Sequence, residues 1–187
     1  MSRMTRRLAL ALTLAATTVL GACGDDDDDD GGAGDSEVIS RVIVTLTPAG
    51  GGGSQSARYE CSTPTTCASD GTLSVAPGTT YRGTIEFLNA FETPPVDITA
   101  EVQLEADEHR VFYATSGVNG VSVAVTDSDD NGAPLGLEFD LVVSGTASGA
   151  GVLNAILSHY DDSPKGDGSI PSTETDVDAD ISLVVGT

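Results

Sequence analysis

Leu137-Glu-Phe-Asp-Leu-Val-Val143 sets Leu137, Phe139, Leu141 and Val143 at every second position, with Glu138 and Asp140 turned the other way. A period of two is the geometry of a strand with one face in a core and one in water. The same alternation recurs on both sides of this stretch. Upstream, Tyr81, Ile85 and Phe87 alternate with Arg82, Thr84 and Glu86 after a Pro77-Gly78 turn. Val42, Val44 and Leu46 alternate with Ile43, Thr45 and Thr47 until Pro48 and a glycine run, Gly50 to Gly53, stop the strand. Further strands are predicted at Val111 to Tyr113, at Val121 to Val125, at Leu153 to Leu157 and at Ile181 to Val185.

One stretch departs from this period. Between Asp97 and about Glu108, Ile98, Val102 and either Leu104 or Glu105 recur at helical spacing, Asp97 is a good cap, and Pro94-Pro95 precede it. The expectation for residues 37–187 is therefore a mainly β domain, an immunoglobulin-like β-sandwich with one short helix.

Composition agrees with that class. Aromatic residues make up 4% of the 187 residues and Trp is absent, while Val, Thr, Gly and Ser are common. The formal net charge is -21. Such a surface repels phosphate backbones, which excludes nucleic acid as a partner. It attracts divalent cations and basic partners, and it also keeps a protein soluble.

The first 22 residues read as a signal peptide. Arg3, Arg6 and Arg7 precede an uncharged apolar run from Leu8 to Leu20, too short to span a bilayer. The run ends in Leu20-Gly21-Ala22-Cys23, which resembles the lipobox of bacterial lipoproteins. That resemblance implies cleavage before Cys23 and acylation of its thiol, hence a membrane partner through a lipid anchor. Residues 23–36 contain six consecutive aspartates, Asp25 to Asp30, and form the expected disordered tether. Gly24 after the lipidated cysteine points to the outer membrane of the cell envelope, on its periplasmic or surface face. Outside the cytosol, Cys61 and Cys67 are expected to form a disulfide. The alternative is a metal held by these two thiols, and zinc would need further ligands nearby.

Two motifs carry possible chemistry. Asp127-Ser-Asp129-Asp-Asn131-Gly132, with Glu138 five residues on, satisfies the pattern of a twelve-residue calcium loop. Asp127, Asp129, Asn131 and Glu138 are its candidate Ca2+ ligands. The alternative is a plain acidic turn between strands. The second motif is the pair His109 and His159. Glu105 lies four residues before His109 and would share its face on a helix. His159 shares the inward parity of Ala155 and Leu157. His109, His159 and Glu105 are thus candidate Zn2+ ligands, or each histidine simply closes a sheet edge with a hydrogen bond. The acidic face of Asp97, Glu101, Glu105 and Glu108 reads as a solvated helix surface, the alternative being a face that binds a cation or a basic partner.

Enzyme signatures are absent: there is no nucleophile elbow, glycine-rich phosphate loop or H-E-x-x-H pair. No catalytic residues are assigned, and the chain reads as a non-enzyme. Several ordered segments, among them Glu37-Val-Ile-Ser40, Tyr81-Arg-Gly-Thr-Ile-Glu-Phe87, Glu108-His-Arg-Val-Phe-Tyr113, Asp127 to Leu137, Leu157-Ser-His159 and Glu174-Thr-Asp-Val-Asp178, carry a resemblance. Together they resemble a family of uncharacterised bacterial lipoproteins. Members often bear labels such as "type 1 periplasmic binding fold" or "GTP cyclohydrolase". Neither suits this chain, which is too small for a two-lobed α/β protein and lacks the Cys/His metal site of the second. The resemblance implies a lipid-anchored domain. The expected function is a binding or interaction module in the envelope, calcium-stabilised and with a protein partner. The alternative is a metal-capture accessory that serves an uptake system.

Overall fold

The computed structural model describes residues 37–160, 165 and 171–186. The signal peptide at residues 1–22, and Cys23 with the tether to residue 36, lie outside the described residues.

The domain is mainly β with one short helix. Its elements in chain order are β1 (Arg41–Pro48), β2 (Gln55–Thr63), β3 (Thr66–Asp70), β4 (Leu73–Val75), β5 (Thr80–Asn89), β6 (Val96–Asp97), α1 (Thr99–Leu104), β7 (His109–Val125), β8 (Glu138–His159) and β9 (Glu174–Val185). The nine strands form one hydrogen-bonded sheet in the order β3-β2-β1-β5-β8-β9-β4, with β6 on β5 and β7 on β8. Among the described residues, no helix is long and apolar enough to cross a membrane.

Two strands are much longer than their sequence pattern predicts. Val111 to Tyr113 and Val121 to Val125 belong to the single strand β7, of 17 residues, and Leu137 to Val143 and Leu153 to Leu157 fall on or beside β8, of 22 residues. The run Ser144 to Gly151 reads as a break because it lacks large side chains. It stays extended because small residues are what the strand needs there. A Cβ on Gly151 would stand 1.9 Å from the Ser116 carbonyl oxygen, and one on Gly117 would stand 2.7 Å from that of Ala150. At this point β7 is irregular in register against β8, as expected at a bulge.

Beyond this close approach β8 changes partners. Residues 138–142 pair with β5, and Ala150 to His159 pair with β9. The sheet therefore diverges into two arms that share β7 and β8. The far ends of the arms meet again. Gln55 on β2 donates from its amide to the Ser74 carbonyl (2.6 Å) and accepts from the Ser74 N–H (2.7 Å) on β4. The Ser182 N–H of β9 donates to the Ser69 hydroxyl of β3 (2.9 Å). The sheet is thus curled around one core, built from the inward positions of every long strand: Val42, Val44, Leu46, Ile85, Phe87, Phe139, Leu141, Leu153, Leu157, Ile181 and Leu183 are all buried.

The helix is shorter than expected. It spans Thr99–Leu104, and Asp97 lies in β6, where its side chain accepts from the Thr99 N–H (3.0 Å). Of this region Ile98 and Val102 are buried in the core and Ala106 packs against it, while Leu104 is 85% exposed. One apolar turn cannot hold a longer helix, so the chain leaves it at Glu105 and enters β7 at His109. Glu105 and His109 are therefore not on one helix face, a correction to the helical reading of their spacing.

Candidate metal centre

His109 opens β7 and His159 closes β8, and the antiparallel register sets them directly opposite each other. Their rings stack, with centroids 4.3 Å apart and planes 27° off parallel. Both are buried, His109 at 0% exposure and His159 at 3%. Parity drives this, because His109, Val111 and the inward residues Ala155, Leu157 and His159 line the same face.

Two carboxylates complete the cluster. Glu37 lies in the segment before β1, which is tied down by Ser40. The Ser40 N–H donates to the Leu88 carbonyl (3.0 Å), and its hydroxyl accepts from the Ala90 N–H (2.7 Å). Asp176 arrives through a bulge in β9. Leu157 pairs with Val177 but Ser158 pairs with Thr175, so Asp176 is an extra residue between them. On a regular strand Asp176 would point away from the side of Val177, Ala179 and Ile181. The bulge turns it inward, and its side chain is fully buried (0%).

The four side chains bring one donor atom each within 4.8 Å of one another. His109 Nε2 lies 3.0 Å from Glu37 Oε1 and 3.8 Å from Asp176 Oδ2. His159 Nδ1 lies 3.8 Å from Glu37 Oε2 and 3.9 Å from Asp176 Oδ1. A tetrahedral zinc with bonds of about 2.0–2.2 Å sets its ligand atoms about 3.3–3.6 Å apart. With one donor atom taken from each residue, the four lie within 4.8 Å of one another, a looser set that an ion would draw together.

The electrostatics belong to a cluster that holds protons when it holds no cation. Burial pushes the Glu37 carboxyl up, but hydrogen bonds from His109 and Asp176 outweigh it and hold it at about 2. Burial pushes Asp176 up, and its hydrogen bond to Glu37 and the charge of Glu37 add to this against the pull of both histidines, reaching about 7. Two carboxyls in contact cannot both ionise cheaply, so their affinities for the proton split. Burial acts to lower His109, yet the bond and charge of Glu37, the Glu105 carbonyl and the charge of Asp176 raise it above its ordinary value.

Outside the four donors stands one orienting group, the Glu105 carbonyl. His109 Nδ1 donates to the Glu105 carbonyl (3.2 Å), which fixes Nε2 as the nitrogen facing the cluster. Glu108 Oε2 lies 3.8 Å from His159 Nε2. Of the residues singled out from sequence, the structure thus brings His109 and His159 together. Glu105 contributes its carbonyl to the inner cluster, with its carboxylate 4.0 Å from His109 Nδ1. Glu37 and Asp176 were not singled out as ligands. Both lie in segments that carry the lipoprotein resemblance, but no periodicity marks either one, because a bulge and an irregular lead-in place them.

The acidic loop is organised differently. Asp127 accepts from the N–H groups of Gly136 (2.7 Å), Leu137 (2.8 Å) and Glu138 (3.1 Å). Asp129 accepts from Asn131 (2.9 Å) and Ala133 (2.8 Å) and pairs with Lys165 Nζ at 3.1 Å. Lys165 is itself buried and also donates to the Ala106 carbonyl (2.5 Å). Hydrogen bonds and the Lys165 charge hold Asp129 below its ordinary value against burial. Asn131 and Glu138 are exposed. Among the described residues, the donors that converge on a common point form two groups, and neither includes a residue of this loop. Cys61 and Cys67 face each other across β2 and β3 and are joined by a disulfide, with Cα atoms 3.9 Å apart.

No protein-family model matches the chain, and it matches neither a curated protein nor a solved structure.

Proposed function

We propose that this chain is a lipid-anchored protein of the cell envelope whose β domain binds one divalent transition-metal ion, zinc foremost, through His109, His159, Glu37 and Asp176. The observation that carries the reading is the convergence of two imidazoles and two carboxylates, all nearly buried, with one donor atom from each within 4.8 Å of the others. Imidazole donors favour zinc, copper, nickel or iron over calcium and magnesium. His109 has the Glu105 carbonyl on its far side to orient it, the arrangement that metal-binding histidines need. The acidic loop offers calcium less, because its two buried-side carboxylates are already bonded and Lys165 supplies the positive charge there.

Four protein donors leave no open coordination position, so the reading is of a non-enzyme. The ion fastens four chain segments at one end of the sheet: the lead-in to β1, the start of β7, the end of β8 and the start of β9. The curled sheet, with both arms on one core, supports an immunoglobulin-like β-sandwich as its architecture. The Leu20-Gly21-Ala22-Cys23 ending supports lipidation at Cys23 and an envelope location. Transfer of the ion to an uptake system belongs to the same reading, since a lipid anchor would hold the site near the membrane.

Thermal melts of the purified protein, metal-stripped and then with zinc or calcium, test the site. A ligand at one hundred times its dissociation constant stabilises the folded state by about 2.7 kcal/mol. Zinc is expected to raise the melting temperature, and His109→Ala to abolish the rise. No rise with zinc, or a rise that survives in His109→Ala, would overturn the proposal.

A further inference from the structure

A second group of donors lies against the first. Glu105, Glu108 and His159 also bring one ligand atom each within 4.8 Å of one another. Their surroundings differ from those of the inner cluster. The side chains of Glu105 and Glu108 are 42% and 34% exposed, while that of His159 is 3% exposed. The group is therefore a rim, open to water on the carboxylate side and closed by a buried imidazole on the other.

The His159 ring joins the two groups. Its Nδ1 faces Glu37 and Asp176, and its Nε2 faces Glu108. We infer that Glu105, Glu108 and His159 Nε2 form a rim site for a second divalent metal ion, bridged by the His159 imidazole to the ion held by His109, Glu37 and Asp176. The inference rests on the inner-site reading above. Binding at Nε2 displaces the ring proton to solvent, leaving an imidazolate between the ions. The charge is well matched, because four carboxylates and an imidazolate more than balance two divalent ions. Three protein ligands with water completing the shell define an open site, in contrast to the closed inner one. The rim ion would be held more weakly and exchange faster, because its carboxylates are solvated and must be ordered to bind. Its position fits a route to the buried site, since both share one ligand and only the rim reaches water.

The backbone supports the arrangement without help from the ions. The Glu108 carbonyl accepts from the Tyr160 N–H (2.8 Å), and the Glu108 N–H donates to the Glu105 carbonyl (2.9 Å). The turn between α1 and β7 is thus pinned beside the end of β8. The two glutamates are held near His159 by the chain path rather than by their own charges.

The test is zinc stoichiometry by native mass spectrometry and chelator competition on the purified protein. Three proteins are compared: wild type, the E105Q/E108Q variant and a D178N/D180N control. The control removes an exposed acidic pair elsewhere on β9. The expected result is two zinc ions in wild type and control, the second bound at least tenfold more weakly, and one in E105Q/E108Q. Both rim side chains are substantially exposed, so the variant retains the fold, checked by its unchanged metal-free melt. One zinc in wild type and in E105Q/E108Q alike would overturn the rim site and leave the inner site standing. Loss of the second ion in the control as well, or two ions in E105Q/E108Q, would assign it to general surface charge. No zinc in wild type would overturn the inner-site reading itself.

Discussion

Asp176→Asn separates a proton-holding cluster from a metal-holding one, because the two roles predict changes of opposite sign. Asp176 is held at about 7 in the folded protein against an ordinary 3.8. A carboxyl raised in the folded state keeps its proton there while the unfolded chain has lost its own. Between those two values the fold loses stability as pH rises, and above about 7 the full cost is present. Each tenfold change in proton affinity corresponds to about 1.4 kcal/mol, so about three such steps set a ceiling of about 4 kcal/mol, and sharing of the proton with Glu37 brings the cost at pH 8 to about 2–4 kcal/mol. Asparagine keeps the shape and the donor toward Glu37 but has no proton to lose. The metal-free variant should therefore be more stable than wild type at pH 8, by about 2–4 kcal/mol, and about equal at pH 4. His109, raised as well, acts in the same direction. Its contribution is complete below about 6.5 and fades as pH rises through its folded value. With zinc in excess the order should reverse, since the amide is a poor ligand and wild type gains what the variant cannot. Urea unfolding with a chelator at pH 4 and pH 8, then with zinc at pH 8, measures all three quantities. A variant that is less stable than wild type at pH 8 without metal would refute the electrostatic reasoning. One that keeps the full zinc stabilisation would refute Asp176 as a ligand.

Two further outcomes follow from the rest of the fold. Lys165→Met leaves the Asp129 carboxylate, 8% exposed, without its cation; breaking a buried pair this way should cost about 3–5 kcal/mol, and an unchanged urea midpoint would show that the loop amides alone suffice. Gly151→Ala drives a methyl toward the Ser116 carbonyl at 1.9 Å, so β7 and β8 must separate locally. Overpacking of this kind costs about 1–3 kcal/mol, and a variant as stable as wild type in the same assay would argue that the two strands do not approach so closely.

Much of the strand pattern was legible because apolar parity is a local signal. Val42 to Leu46, Tyr81 to Phe87 and Leu137 to Val143 declare their inward faces without reference to any other residue. The sequence also placed His159 on the inward face, by its parity with Leu157. The joining of four predicted segments into β7 and β8 was not legible, because Ser144 to Gly151 carries no large side chain to show a period. What keeps it extended is the backbone of β7 lying against it, a contact between residues about 35 positions apart in the chain. The helix expectation ran too long for a related reason: spacing shows which residues could share a face, and only packing decides how many of them reach a core.

The chemistry of the site divides in the same way. Residue type alone determined that this chain is acidic, poor in aromatics, and furnished with only two histidines, so that any imidazole site had to use His109 and His159. Tertiary structure alone decided that they meet. The register of β7 on β8 makes them neighbours, a bulge in β9 turns Asp176 inward, and the lead-in to β1 carries Glu37 to the same point. None of these can be read from a local pattern, because each depends on pairing between segments far apart in sequence. The acidic loop shows the converse. Its spacing matches a cation cage, yet the fold delivers Lys165 to Asp129 and backbone amides to Asp127, because a carboxylate bonds to whichever donors the chain brings within reach.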